Sequence, residues 1–130
     1  MLKKILTMKL LKENYGVCRL DKTESIPEWT QNSDFLSITK TLDELSIVCT
    51  QDSIPNNIKC ENNWRILKVE GPLDFSLIGI ISSISNVLAQ QKISMFAVST
   101  YDTDYILVKD KDIDNAITSL SVVGYEIIKC

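Results

Sequence analysis

The sequence predicts an α+β fold made of two βαββαβ units in tandem, with antiparallel sheets and the helices of each unit on one face. Three observations carry this. Between residues 64 and 130, β-rich runs and two stretches of helical apolar spacing follow in the order strand, helix, strand, strand, helix, strand. The adjoining strands are joined by turn residues, as hairpins are. The first half repeats the hairpin pattern of the second at an offset of 60 residues, which reads as a degenerate internal duplication.

Each element has its own local reason. Tyr15-Gly-Val-Cys-Arg-Leu20 reads as a strand, and Ser25-Ile-Pro-Glu-Trp29 as one or two helical turns with Ser25 as the cap. Phe35–Thr39 and Leu45–Cys49 are β-rich runs joined at 40–44. Residues 52–57 are a turn or a stunted helix. In the second half, Trp64–Val69 alternates as a strand does. Leu77, Ile81, Ile84 and Leu88, widened by Ile80 and Val87, give a helix from Ser76 to Gln91 one buried face. Ile93–Ser99 and Asp104–Lys109 form a hairpin across Thr100–Thr103. Asp110 or Asp112 caps a second helix carrying Ile113, Ala116, Ile117 and Leu120. Gly124 stops it, and Tyr125–Ile128 is the last strand. Such a β-α-β-β-α-β order is the split βαβ of ferredoxin-like folds, four antiparallel strands with both helices on one side. The expected organisation is a degenerate unit over residues 1–62 and a complete one over 63–130.

Composition bounds the function. A chain of 130 residues that is 45% hydrophobic and 24% charged can bury a core, and its net charge of −3 argues against nucleic acid as a partner. Lys3, Lys4, Lys9 and Lys12 read as a solvated start. Lys9 and Lys12 also interrupt the apolar stretch that a signal peptide would need, and there is no run of 18 apolar residues. A cytoplasmic protein with no membrane partner is expected. Cys18, Cys49, Cys60 and Cys130 show no C-x-x-C spacing and there is no histidine, so no metal site is expected. Cys18 and Cys49 sit in apolar runs and read as buried small hydrophobes. Without histidine no Ser-His-Asp or Cys-His set can form. No Gly-rich phosphate loop is present either, so the reading is a non-enzyme with no catalytic residue and no cofactor.

Two segments carry a resemblance. Val69-Glu-Gly-Pro-Leu-Asp-Phe-Ser-Leu77 and Phe96-Ala-Val-Ser-Thr-Tyr-Asp-Thr-Asp-Tyr-Ile-Leu-Val108 closely resemble the small bacterial tandem ACT-domain proteins. Phe35–Thr39 with Leu45–Cys49 resembles the first unit of such proteins. The resemblance implies a regulatory module that binds amino acids or other small molecules, commonly at the loop after the first strand and across an interface between units. Related units in animal arginine sensors take their ligand contacts from a Gly-x-x-acid loop, matched here by Gly71-Pro-Leu-Asp74. They take others from a hydroxyl-aromatic-x-x-Asp stretch, matched by Thr100-Tyr-Asp-Thr-Asp104. No catalytic domain is expected beside those units.

The residues themselves suit an amino acid. Gly71 lets a ligand approach the backbone closely, and Pro72 fixes the loop. Leu73 completes the bend. Asp74 can cap a helix beginning near Phe75 and Ser76, whose first-turn N–H groups would donate to a carboxylate. Asp104 is the candidate acid for the α-ammonium or a cationic side chain. Thr100, Tyr101 and Thr103 complete the ligand-binding set. Each has a plainer reading too: Gly71-Pro72 as a turn, Asp74 as a cap only, the threonines as turn hydrogen-bonders and Tyr101 as a core or interface aromatic. The function expected is a non-catalytic regulatory module sensing an amino acid at a unit or subunit interface, as a homodimer. The alternative is a structural dimerisation or interaction module without a ligand.

Overall fold

A computed structural model describes residues 6–70 and 79–130 of the chain. Its strands are β1 (Thr7–Leu10), β2 (Tyr15–Leu20), β3 (Ser37–Lys40), β4 (Leu45–Thr50), β5 (Cys60–Val69), β6 (Met95–Ser99), β7 (Asp104–Lys109) and β8 (Glu126–Lys129). Its α-helices are α1 (Ile80–Gln90) and α2 (Ile113–Val122). Two compact units are present: Glu13–Trp64 is one, and Arg65–Cys130 with the segment up to Lys12 is the other.

In the second of these units the strand order is β8-β1-β5-β7-β6. A four-stranded sheet was expected, and there are five strands because β1 enters between the first and last strands of the βαββαβ. It pairs antiparallel with β5 through Met8↔Val69 and parallel with β8 through Met8↔Ile127. The N-terminal segment, read as a solvated start, buries Met8 and Leu10 while Lys9 and Lys12 stay exposed. Alternation supplies one face: Met8, Leu10, Leu67, Val69, Ile106 and Val108 all join one core cluster.

Both helices cover that face. Ile84 and Leu88 of α1 and Ile113, Ala116 and Leu120 of α2 are in the same cluster. Ile80 and Val87, rather than Ile81, pack beside the α1 pair. Each fully buried aliphatic side chain stabilises the unit by roughly 1.5–3 kcal/mol, before the cost of ordering it. The described helix starts at Ile80, after Gly79 at φ 81°, and the expected start at Ser76 lies outside the described residues. Gly79 stands at the cap position and has no side chain to bond the first turn. At α2, Asp112 stands at the cap position without a side-chain hydrogen bond, and Asp110 lies 3.5 Å from Arg65 instead. A 3-10 turn, Asp110–Asp112, takes up the place where a capping side chain was expected. Gly124 ends α2 as expected, at φ 107°.

The other unit has strand order β5-β2-β4-β3, all antiparallel, the ferredoxin-like order with 3-10 turns where helices would stand. The expected turn capped by Ser25 is found later, at Glu28–Asn32, with Pro27 in the cap position. There the buried Thr30 hydroxyl donates to the Pro27 carbonyl at 2.6 Å and closes the turn on itself. The second turn is Gln51–Ser53. Cys18, Leu45, Ile47 and Cys49 make this unit's core, with Trp29, Ile54 and Cys60 packed against it. A β-bulge interrupts the β2–β5 register between Tyr15 and Val17. Asn63 has φ 67° there, and its amide donates to Gln51 Oε1 at 2.7 Å.

Candidate functional site

The site residues fall in two stretches. Gly71, Pro72, Leu73, Asp74, Phe75 and Ser76 lie outside the described residues. Thr100, Tyr101, Thr103 and Asp104 are described, at the turn of the β6–β7 hairpin, whose register runs from Met95↔Val108 to Ser99↔Asp104.

That turn is closed by one threonine and anchored by another. The Thr100 amide donates to the Thr103 carbonyl at 2.8 Å, the Thr100 hydroxyl donates to the same oxygen at 3.0 Å, and the Thr103 amide donates back to Thr100 Oγ1 at 3.3 Å. The turn reading of Thr100 is therefore realised. Thr103 does more. It is 4% exposed, and its hydroxyl donates to the Val69 carbonyl at 2.5 Å. Val69 is the last residue of β5, so a side chain from the turn is held against the end of the strand that leads towards Gly71. On the other side of that strand end, the Glu70 amide donates to the Thr7 carbonyl at 2.8 Å.

Asp104 opens β7 half-exposed, one residue after the buried anchor. Its carboxylate, at a strand start where aspartate is disfavoured, is placed by the turn rather than by strand propensity. Tyr101 stands at the tip, 82% exposed, so it is not a core aromatic within the protomer. Met95, half-buried, packs against the helix-covered core, and Phe96 takes the opposite side of the strand by alternation.

The anchoring role of Thr103 is the feature that sequence reasoning missed. A threonine beside a Thr-x-Asp turn reads as a local hydrogen-bonder, and its partner lies 34 positions away in the chain. The strand β1, which bonds the other side of the same strand end, was missed as well. Its signal is the alternation of Met8 and Leu10 with Thr7 and Lys9.

Among the described residues, no cluster of three or more His, Cys, Asp or Glu side chains could hold a metal ion. No helix among them is long and apolar enough to cross a membrane.

Comparison with known proteins fits this geometry. Residues 59–122 match the ACT domain family, and residues 13–57 match a family described as an N-terminal domain. An Agrobacterium tumefaciens protein of known crystal structure is 36% identical over 98% of this chain and 96% of its own, with a TM-score of 0.92. The human cytosolic arginine sensor for mTORC1 subunit 1 is 32% identical over 76 residues, which is 55% of this chain. The chain spans only 23% of that relative's length. The regulatory subunit of aspartate kinase from Thermus thermophilus shares the fold at 7% identity, with a TM-score of 0.59 over 84% of this chain and 90% of its own. The strand order, the helix pair on one face and the family match agree: this chain belongs to the ACT-domain family through residues 59–122.

Proposed function

We propose that the chain is a non-catalytic sensor that binds a free amino acid between the Gly71–Ser76 loop and the Thr100–Asp104 turn. The carrying observation is the buried Thr103–Val69 hydrogen bond, which ties the turn bearing Asp104 to the end of the strand that runs into the loop. In this reading Gly71 lets the ligand backbone approach, and N–H groups of the segment and of the helix that follows donate to its carboxylate. Asp104 takes the α-ammonium or a cationic side chain. A charge-assisted hydrogen bond of that kind contributes about 1.5–3 kcal/mol, or roughly a tenfold to a hundredfold in affinity. Binding to one arrangement of subunits in preference to another would then shift that equilibrium, which is how such a module reports its ligand. The reading includes a homodimer working in the cytoplasm.

Arginine is the first ligand to try, because a relative aligned over 76 residues is named a cytosolic arginine sensor. The experiment is a thermal melt against each of the twenty amino acids at millimolar concentration. A bound ligand must raise the melting temperature by mass action. The stabilising amino acid should lose most of its effect on Asp104→Asn, with the ligand-free melt unchanged. If none of the twenty stabilises the protein, the sensor reading fails and a ligand-free dimerisation module takes its place.

A further inference from the structure

The structure points to a second chemical feature, independent of the amino-acid reading and confined to the Glu13–Trp64 unit. We infer that Cys18 and Cys60 are a redox pair, a modification site at which a small peroxide converts two thiols into a disulfide linking β2 to β5.

The geometry carries this. Cys18 and Cys60 are register partners on adjacent antiparallel strands, and their sulfurs are 3.4 Å apart. Directly opposed residues in such a pair have Cβ atoms about 4.5–5.5 Å apart, close to the ~3.5–4.5 Å that a disulfide requires. The two sulfurs therefore have only to close on each other. Rotation of two side chains and a small adjustment of the strands suffice.

The two thiols differ in access. Cys18 is 1% exposed, inside the core. Cys60 is half-buried and lines a cavity of about 340 Å³ with Gln51, Asn56 and Asn62. Its thiol lies 3.1 Å from Asn62 Oδ1, at the polar wall. Gly16 leaves room for the sulfur: a Cβ there would stand 2.7 Å from Cys60 Sγ and 2.4 Å from Ile54 Cδ1. A reagent as small as hydrogen peroxide can reach Cys60 without the core opening.

The steps balance. Cys60 attacks one oxygen of the peroxide, the O–O bond breaks, and a sulfenic acid and one water result. Cys18 then attacks the Cys60 sulfur, and the hydroxyl leaves with the Cys18 proton as a second water. Two thiols are oxidised and one peroxide is reduced to two waters. Its hydrogen bond to Cys49, and then burial, push the Cys18 thiol well above the usual thiol range. The first attack therefore falls to Cys60, the thiol that the cavity reaches.

The test uses the full chain with exposed Cys130 replaced, Cys130→Ser, so that copies do not crosslink. Treatment with hydrogen peroxide should lower the count of thiols alkylated after denaturation from three to one. Peptide mapping should find Cys18 bonded to Cys60, and dithiothreitol should restore all three. Adding Cys60→Ser should abolish the bridge, and adding Cys49→Ser should leave it in place. A folded Cys49→Ser chain that forms no bridge would overturn the pair. So would Cys60 oxidised to sulfinic acid while Cys18 still alkylates, or a mapped bond between Cys18 and Cys49. The wild-type map decides the matter even where a variant fails to fold.

Discussion

The chain contains the same hairpin twice, and the two copies are tied down by different chemistry. In the β3–β4 turn, Thr41 donates its amide to the Glu44 carbonyl at 2.9 Å and accepts the Glu44 amide on Oγ1 at 3.1 Å. In the β6–β7 turn, Thr100 does the same with Thr103, at 2.8 and 3.3 Å. The closing residues then part company. Thr103 is buried and donates to the Val69 carbonyl of β5. The half-buried Glu44 stands at the matching position, and that turn is held to its first strand by the Arg19 guanidinium of β2, donating to the Asp43 carbonyl at 3.2 Å. The next position differs as well: Leu45 is buried where Asp104 is half-exposed. A leucine side chain cannot hold an ammonium group. The copy with full helices thus opens its second hairpin strand on an acid, and the copy with 3-10 turns opens it on a buried hydrophobe.

The largest effect should come from the helix-covered core. Leu88→Ala deletes a fully buried side chain of α1 and should destabilise by about 2–5 kcal/mol, read as a lower urea midpoint at unchanged slope. A loss below ~1 kcal/mol would mean that α1 is not what separates the two copies. Next comes Gly16→Ala in the helix-poor unit. The added Cβ meets Ile54 and Cys60 and should cost about 1–3 kcal/mol by overpacking. A neutral result would show that this unit is looser than its contacts suggest. Thr103→Val is comparable in size and bears on the turn itself. It removes the donor but nearly keeps the shape, and the Val69 carbonyl loses its side-chain partner, which should cost about 1–3 kcal/mol. If the sensor reading holds, the same change should also weaken amino-acid stabilisation, because Asp104 follows the anchor directly. A destabilised Thr103→Val that binds as well as wild type would separate the anchor from the site.

How far this was legible in the sequence follows the range of the interactions. The succession of β5, α1, β6, β7, α2 and β8 could be read because its apolar periods are local and repeated, and Gly124 marks its stop within one helix. β1 escaped because four residues carry only two apolar positions, Met8 and Leu10, among lysines, and its meaning lies in pairing with β5 and β8. The first 3-10 turn was placed too early, since Ser25 offers a good cap but Thr30 and Pro27 close the turn that forms. The repeat offset was read as 60, aligning the acids Glu44 and Asp104. The strands instead correspond at one residue less, Thr41 with Thr100 and Leu45 with Asp104, because hydrogen bonds and not acidity define the turn. At the site, the residue types at the hairpin were legible. The burial of Thr103 was not, because nothing within the turn signals a partner on β5.

The smallest effect is the sharpest check on the comparison. Arg19 is exposed, and its bond to the Asp43 carbonyl lies at the surface, where water replaces it at little cost. Arg19→Ala should therefore change stability by about 0.5 kcal/mol or less, as surface substitutions away from buried partners do. Thr103→Val removes a tie of the same topological kind, turn to first strand, but from a site that water does not reach. The expected ratio of the two losses is then set by burial alone. Equal losses in urea denaturation would mean that Arg19 holds its hairpin as firmly as Thr103 holds the other. The asymmetry between a turn anchored from within the protein and one tied at its surface would then have no basis in how the turns are fastened.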